Sequence, residues 1–224
     1  MINKLVAFKF SVFLLTALIY IRPVKAQPFI EEINAFKKQD SIAMPPKNAI
    51  LFVGSSSFRM WTSLNQDFPI YSIINRAFGG SSLPDIIRYV DQVIIPYQPR
   101  QILIYCGDND LASSDTISAQ SVNMRFQQLF HQIRKQLPEA AIAFVSIKPS
   151  PKRQHILQKQ AKCNELIKDF LKNQTKTAYI DVFSAMIDEK GNPNADLFVD
   201  DRLHMNKKGY AIWVQVIEPY LIKE

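Results

Sequence analysis

Short apolar runs alternate along this chain with stretches in which apolar residues recur every three or four positions. Ile50-Leu51-Phe52-Val53 is continuous and apolar, bounded by Pro45-Pro46 before it and Gly54 after it. Tyr71 to Ile74, Ile102 to Tyr105, Ala141 to Ile147 and Ala178 to Ile180 read the same way. Runs of this kind predict strands that are apolar on both faces, at home in a sheet covered from both sides. Between them, Val122, Phe126, Leu129, Ile133 and Leu137 lie at helical spacing. So do Ile156, Cys163, Ile167 and Phe170, and later Tyr210, Trp213, Val214 and Ile217. Asp115 and Asn206 are the expected N-caps of the first and last of these helices. A further helix, about Ile30 to Lys38, is expected to pack outside the sheet. Five strands alternating with helices predict an α/β sandwich around a mostly parallel sheet.

The N-terminal segment breaks this rhythm. Lys4 and Lys9 give it a basic start, Ser11 to Ile21 is apolar, and Val24-Lys25-Ala26 resembles a small-residue cleavage site before Gln27. The apolar run is short for a membrane span, which needs about 20 residues. Residues 1–26 therefore read as a secretory signal peptide and residues 27–224 as one domain; an uncleaved N-terminal anchor is the alternative. The reading places the protein in the periplasm or outside the cell, with no stable membrane association once the signal is removed.

Charge then changes meaning. The 224 residues carry 27 Lys and Arg against 20 Asp and Glu, a formal +7. Loss of residues 1–26 removes Lys4, Lys9, Arg22 and Lys25 and no acid, leaving 23 against 20. A net +3 is an ordinary surface and argues against nucleic acid as a partner. Two cysteines cannot staple a small fold, so an apolar core must hold it. Cys106 ends an expected buried strand and Cys163 lies on an apolar helix face. Two separate buried thiols are expected, although an oxidising compartment would allow pairing.

Four of the six glycines (Gly54, Gly79, Gly80 and Gly107) fall just after the first three expected strands. In an open parallel sheet, ligands bind beyond the carboxyl ends of the strands. Polar residues sit beside these glycines: Ser55-Ser56-Ser57, Ser81-Ser82, and Asp108-Asn109-Asp110. A fourth polar segment, Asp200-Asp201-Arg202-Leu203-His204, precedes the last helix. Serine is a weak nucleophile unless a base takes its proton. Of the three histidines, His131 lies in an amphipathic helix and His155 in a polar loop, which leaves His204 as the candidate base. Asp201, three residues earlier, is spaced to hold one imidazole nitrogen while the other faces a nucleophile. The Ser56 N–H, the Gly80 N–H and the Asn109 side-chain amide are candidate donors for a developing oxyanion.

In this order the four segments resemble the SGNH (GDSL-type) hydrolase superfamily, over about Ile50 to Tyr220. The resemblance rests on Ile50-Leu-Phe-Val-Gly54-Ser55-Ser56-Ser57, Asn75-Arg76-Ala77-Phe78-Gly79-Gly80, Gly107-Asp108-Asn109-Asp110 and Asp201-Arg202-Leu203-His204. It implies a three-layer α/β/α sandwich resembling flavodoxin. It also implies a serine esterase with Ser56, His204 and Asp201 as catalytic residues, and with Ser56, Gly80 and Asn109 as the oxyanion hole. The chain departs from the family in two places. Ser55 stands where the family commonly has Asp, and Arg202 where many relatives have Gly.

The resemblance requires no cofactor and no metal. The expected substrate is a small-molecule or glycan ester, with acetyl esters of carbohydrate foremost. Phe58, Trp61 and Phe78 are candidate residues for stacking on sugar rings, and Arg202 for contacting an anionic substrate. The loop Lys148-Pro149-Ser150-Pro151-Lys152-Arg153 is expected either to rim the crevice or to be a solvated charge run. Three alternatives stand beside this reading. One is a lysophospholipase- or thioesterase-like hydrolase of lipid acyl groups. Another is a metal-dependent hydrolase built on Asp108, Asp110, Asp200, Asp201 and His204. The third, of another class, is a carbohydrate-binding protein without catalysis.

Overall fold

A computed structural model describes residues 27–223; the expected signal peptide lies outside the described residues. The five strands are β1 (Ile50–Gly54), β2 (Ile73–Asn75), β3 (Gln101–Tyr105), β4 (Ala141–Val145) and β5 (Thr177–Ile180). They form one sheet in the order β2-β1-β3-β4-β5. Every pairing is parallel, with Ile50 opposite Ile73 on one side and Gln101 on the other. The expected mostly parallel sheet is thus parallel throughout. Helices α1 (Ile30–Ile42), α2 (Ser56–Arg59), α3 (Leu64–Asp67), α4 (Leu83–Val93), α5 (Asp108–Ala112), α6 (Ala119–Gln136), α7 (Leu157–Lys172), α8 (Val182–Ala185) and α9 (Lys207–Ile217) connect the strands or flank them.

Alternation of side chains along each strand sends successive residues to opposite faces. Leu51, Val53, Ile102, Ile104, Ile142 and Phe144 bury one face against Ile86 and Val90 of α4, Phe126 and Leu129 of α6, and Ile167 of α7. Ile50, Phe52, Leu103, Tyr105 and Val145 bury the other against Phe58, Trp61, Trp213 and Ile217. Two cores with a sheet between them make the three-layer α/β/α sandwich. Each such side chain fully removed from water contributes about 1.5–3 kcal/mol before the entropy of ordering is set against it. Cys106 and Cys163 are free and buried in the first of these cores.

Helix starts follow local capping chemistry. Asn206 caps α9, its Oδ1 accepting from the N–H groups of Lys208 and Gly209 at 2.8 and 3.2 Å. At α6 the structure corrects the expectation. The helix starts at Ala119 and its cap is Ser118, whose Oγ accepts from the Ser121 N–H at 3.0 Å; Asp115 lies in the turn before it. Helix α4 was not among the expected helices. Leu83, Ile86, Val90 and Val93 give it a buried stripe, and the Asp110 carboxylate accepts from the Leu83 N–H at its start, at 2.9 Å.

From β1 the chain runs out to the edge strand β2, then returns past β1 to β3. The strand order therefore reverses between β1 and β3, where doubly wound sheets open a crevice at their carboxyl ends. Gly54, the last residue of β1, lies at that point with φ 149°, and a Cβ there would come within 2.0 Å of the Tyr105 carbonyl oxygen. Only glycine lets β1 and β3 approach so closely just below Ser55 and Ser56.

Candidate active site

Ser56 opens the short helix α2 directly after β1. Its hydroxyl lies 3.1 Å from His204 Nε2, across 148 positions of sequence. Ser55 and Ser57 on either side are buried, and neither hydroxyl bonds the imidazole among the described residues. The structure thus separates the three adjacent serines by position. His204 Nδ1 lies 2.5 Å from Asp201 Oδ2. The other Asp201 oxygen accepts from the backbone N–H groups of Leu203 and His204, at 2.8 and 2.9 Å. Burial raises the Asp201 carboxyl, but the bond to the His204 ring, those two N–H groups and the imidazole charge bring it down to about 2. The carboxylate is therefore ionised at neutral pH. An Asx turn and a charge-assisted bond meet on one side chain, which fixes the ring's orientation.

The loop carrying this pair is anchored on both flanks. Its Val199 N–H donates to the His204 carbonyl at 2.9 Å. Lys148 Nζ donates to the Leu203 carbonyl at 2.8 Å. On the other side, Tyr210 of α9 donates its hydroxyl to the Ser57 carbonyl at 3.0 Å. The helix that follows His204 therefore grips the peptide that follows Ser56.

The glycine loop after β2 faces the same crevice. Gly80 has φ 83°, and a Cβ on it would meet nothing closer than Phe29 Cε1 at 3.9 Å. It is the backbone conformation, rather than crowding by the protein, that calls for glycine there. No acceptor among the described residues takes the N–H of Ser56 or of Gly80. Asn109 follows β3, and its Nδ2 donates to the Ser81 carbonyl at 3.0 Å, which seats the amide beside the Gly80-Ser81 peptide. Ser81 Oγ in turn donates to the Gly54 carbonyl at 3.1 Å. Three loops from three strands are thereby tied together at the crevice.

Four residues expected to touch substrate fare differently. Phe58 and Phe78 are fully buried and Trp61 nearly so, which corrects the expectation that they stack on sugars. Phe58 lies two residues after Ser56 on α2, so its ring turns back into the core against Phe52, Tyr105 and Trp213. Trp61 packs on Phe68 and Tyr210, and Phe78 on Phe29 and Tyr89. Their faces are taken up by packing. Arg202 is exposed beside Asp201. Its backbone is left-handed, with φ 60°, a region that glycine enters without steric cost.

The loop from Lys148 to Arg153 is also corrected. Lys148 is 1% exposed, and its Nζ lies 3.9 Å from Asp108 Oδ2. Arg153 is 14% exposed in its side chain and pairs with the same oxygen at 2.7 Å. Gln160 of α7 donates to the other Asp108 oxygen at 2.9 Å. Of the three cations in this loop only Lys152 is exposed. Burial lowers the Lys148 ammonium to about 8, against the opposing pull of Asp108.

Asn75 was also missed as a site-building residue. Its Nδ2 donates to the Phe58 carbonyl at 2.8 Å and its Oδ1 accepts from the Ala77 N–H at 3.0 Å, linking the glycine loop to α2. It stood within the quoted Asn75-to-Gly80 segment, whereas nothing in the spacing joined Asp108 to Lys148, Arg153 or Gln160.

His131 is exposed and meets the rings of Phe130 and Phe170 edge-on, far in sequence and role from the crevice. Among the described residues no three His, Cys, Asp or Glu side chains are grouped to hold a metal ion. No helix among them is long and apolar enough to cross a membrane. Met60, one helical turn after Ser56, and Met205, next to His204, line a cleft of about 560 Å³ together with Val199, Tyr210 and Val214.

Comparison with known proteins adds a family to this geometry. The model of the GDSL-like lipase/acylhydrolase family matches residues 40–212. No curated protein sequence matches the chain. Among solved structures, a provisional platelet activating factor from Streptococcus pneumonia is similar with a TM-score of 0.76 and 18% identity, over 86% of this chain and 92% of that one. A GDSL-like lipase from Bacteroides thetaiotaomicron has a TM-score of 0.70 and 17% identity, over 84% and 96%. A catalytic mutant of an acetylxylan esterase from Geobacillus stearothermophilus has a TM-score of 0.62 and 12% identity, over 80% and 96%. At these identities the solved structures speak for the fold.

Proposed function

The chain belongs to the GDSL-like lipase/acylhydrolase family, and on that premise we propose that it is an exported serine esterase acting on short-chain, chiefly acetyl, esters of carbohydrate. The observation that carries the reading is the 3.1 Å contact between Ser56 Oγ and His204 Nε2, backed by Asp201 at 2.5 Å on the far ring nitrogen. His204 takes the Ser56 proton as the oxygen attacks the ester carbonyl carbon. Asp201 holds the ring in the required tautomer and stabilises the imidazolium that forms. The N–H groups of Ser56 and Gly80 and the free N–H of the Asn109 amide receive the oxyanion, each worth about 2.7–4 kcal/mol in the transition state. His204 then protonates the leaving alcohol as the carbon–oxygen bond breaks. A water molecule, deprotonated by His204, attacks the acyl-serine and releases the acid. Ester and water become alcohol and acid with protein groups alone, so no cofactor is invoked.

The site's openness supports a bulky alcohol and a small acyl group. The Asp201 side chain is 47% exposed and the His204 side chain 23%. A triad standing at an open edge leaves room for a polymer to approach, and an acetyl group needs little further space. The family likeness of the fold to an acetylxylan esterase is in keeping with this. Export rests on the N-terminal pattern described above.

One observation favours a second reading. The cleft beside His204 has an apolar wall of Met60, Val199, Met205 and Val214 facing polar Asp67, Asn206 and Lys207, a lining that suits an acyl chain with a polar head, as a lysophospholipase or thioesterase-like enzyme would require. A panel of acetyl, butyryl and long-chain esters with acetylated sugars separates the two. Preference for acetyl esters supports the first reading, and a rate that climbs with chain length supports the second. Ser56→Ala is expected to abolish turnover of p-nitrophenyl acetate with the melting temperature retained. Undiminished turnover, or failure of a serine-directed phosphonate to label the wild type, would overturn both and leave a binding protein or a different hydrolase.

A further inference from the structure

Asn109 can act as an oxyanion donor only if its amide nitrogen, and not its oxygen, faces the substrate. Its two neighbours decide this. Arg153 Nη2 donates to Asn109 Oδ1 at 2.8 Å, while Asn109 Nδ2 donates to the Ser81 carbonyl at 3.0 Å. A guanidinium only donates and a carbonyl only accepts, so the two contacts admit a single orientation of the amide. One N–H of Nδ2 is spent on Ser81 and the other is left over.

We propose that Arg153 is a positioning residue for ester hydrolysis, holding the Asn109 amide so that its remaining N–H meets the developing oxyanion. The inference rests on the serine-esterase reading above and goes beyond it. Arg153 spans the first two residues of α5, just after β3. Its Nη1 lies 2.7 Å from Asp108 Oδ2, an ion pair rather than an aligned hydrogen bond, and its Nη2 holds Asn109. The pair is largely shielded from water, with side-chain exposures of 14% and 6%. Asp108 is itself held by Gln160 at 2.9 Å and faces Lys148 at 3.9 Å. Two cations therefore surround one carboxylate at the back of the oxyanion site. That leaves an excess of positive charge behind the Asn109 amide, in surroundings that screen it weakly. A charged donor on Oδ1 also polarises the amide and strengthens its N–H groups as donors. Arg153 comes from the segment Pro151–Ile156, which is further fixed by the Lys152 N–H donating to the Arg202 carbonyl at 3.0 Å. The same short segment thus supports the oxyanion loop with a side chain and the His204 loop with its backbone.

The test is a double-mutant cycle on p-nitrophenyl acetate with Arg153→Met and Asn109→Ala. Loss of one oxyanion donor costs about a hundredfold to a thousandfold in kcat. Arg153→Met, which misplaces that donor without deleting it, is expected to lower kcat by about tenfold to a hundredfold with KM within about twofold. In the Asn109→Ala background the same substitution is expected to change kcat by less than about threefold, since there is no amide left to orient. Arg153→Lys, which keeps the charge and one donor, is expected to recover most of the loss. Arg153→Gln, which removes the charge, carries the cycle if the methionine variant fails to fold. Fold losses that multiply in full, or a KM change at constant kcat, would overturn the role of Arg153 alone. Undiminished turnover in Ser56→Ala would overturn it together with the reading on which it rests.

Discussion

His204 Nδ1 lies 2.5 Å from Asp201 Oδ2, yet nearly half of that aspartate side chain faces solvent. In a water-excluded triad, replacing the carboxylate by an amide costs about 10⁴ in kcat, because the imidazole is held in the wrong tautomer and its charge is unsupported. Solvent here takes over part of the charge support and none of the orientation. Asp201→Asn is expected to lower kcat on p-nitrophenyl acetate by about a hundredfold to a thousandfold with little change in KM. A loss of under tenfold would remove Asp201 from the catalytic row.

The burial of Phe58 predicts a stability phenotype and not a binding one. Phe58→Ala removes a ring packed against four aromatic neighbours, Phe52, Trp61, Tyr105 and Trp213. It is expected to cost about 3–5 kcal/mol in urea denaturation. Phe58→Leu keeps most of the volume and is expected to leave KM for an acetylated sugar within about twofold. A tenfold rise in KM for the leucine variant would restore the stacking role.

Close approach of β1 and β3 at Gly54 is the most demanding backbone feature near the site. Gly54→Ala would drive a Cβ to 2.0 Å from the Tyr105 carbonyl oxygen and place a side chain at φ 149°. The expected loss is about 3–5 kcal/mol, from overpacking and backbone strain together. Because Ser55 donates to that same carbonyl at 3.0 Å, the displacement is expected to reach Ser56. Equilibrium unfolding and kcat are therefore expected to fall together, and a soluble variant of native stability would contradict the close contact.

Lys148 gives a pH dependence whose sign can be worked out. Its ammonium is lowered from 10.5 to about 8, by burial first, with Asp108 opposing and Arg153 assisting. Below pH 8 both folded and unfolded chains hold the proton, and the cost of the buried charge is fully present. Between about 8 and 10.5 the unfolded chain still holds it while the folded one releases it, so this group's contribution to stability rises with pH. Melting temperatures of the wild type and Lys148→Met at pH 7.5 and pH 10 measure it. The wild type is expected to gain on the variant at the higher pH, and a constant difference would exclude the titration.

The features legible from sequence were those written in local spacing. Unbroken apolar runs located β1, β3 and β4 because both faces of those strands are covered. Helical periodicity located α6, α7 and α9. Ser56 stood out because a glycine and polar residues ended an apolar run, and the Asp201–His204 pair because a polar segment stands directly before the last helix. Tyr71 was drawn into β2 because it is apolar, although the strand begins at Ile73. The aromatic residues near Ser56 misled for a related reason. Sequence order shows that a ring lies close to Ser56, and only the direction of a helix turn shows that it points inward. Arg153 and Lys148 read as a solvated charge run because their partners, Asp108, Asn109 and Leu203, lie 40 or more positions away.

The Ser56 hydroxyl and the His204 imidazole are 148 positions apart in sequence, Ser56 in the first strand–helix junction and His204 just before α9. On the proposed mechanism the two side chains can work together only once the sheet between them has assembled and α9 has docked Tyr210 onto Ser57. Ester hydrolysis would then be a property of the finished fold and of no fragment ending before α9.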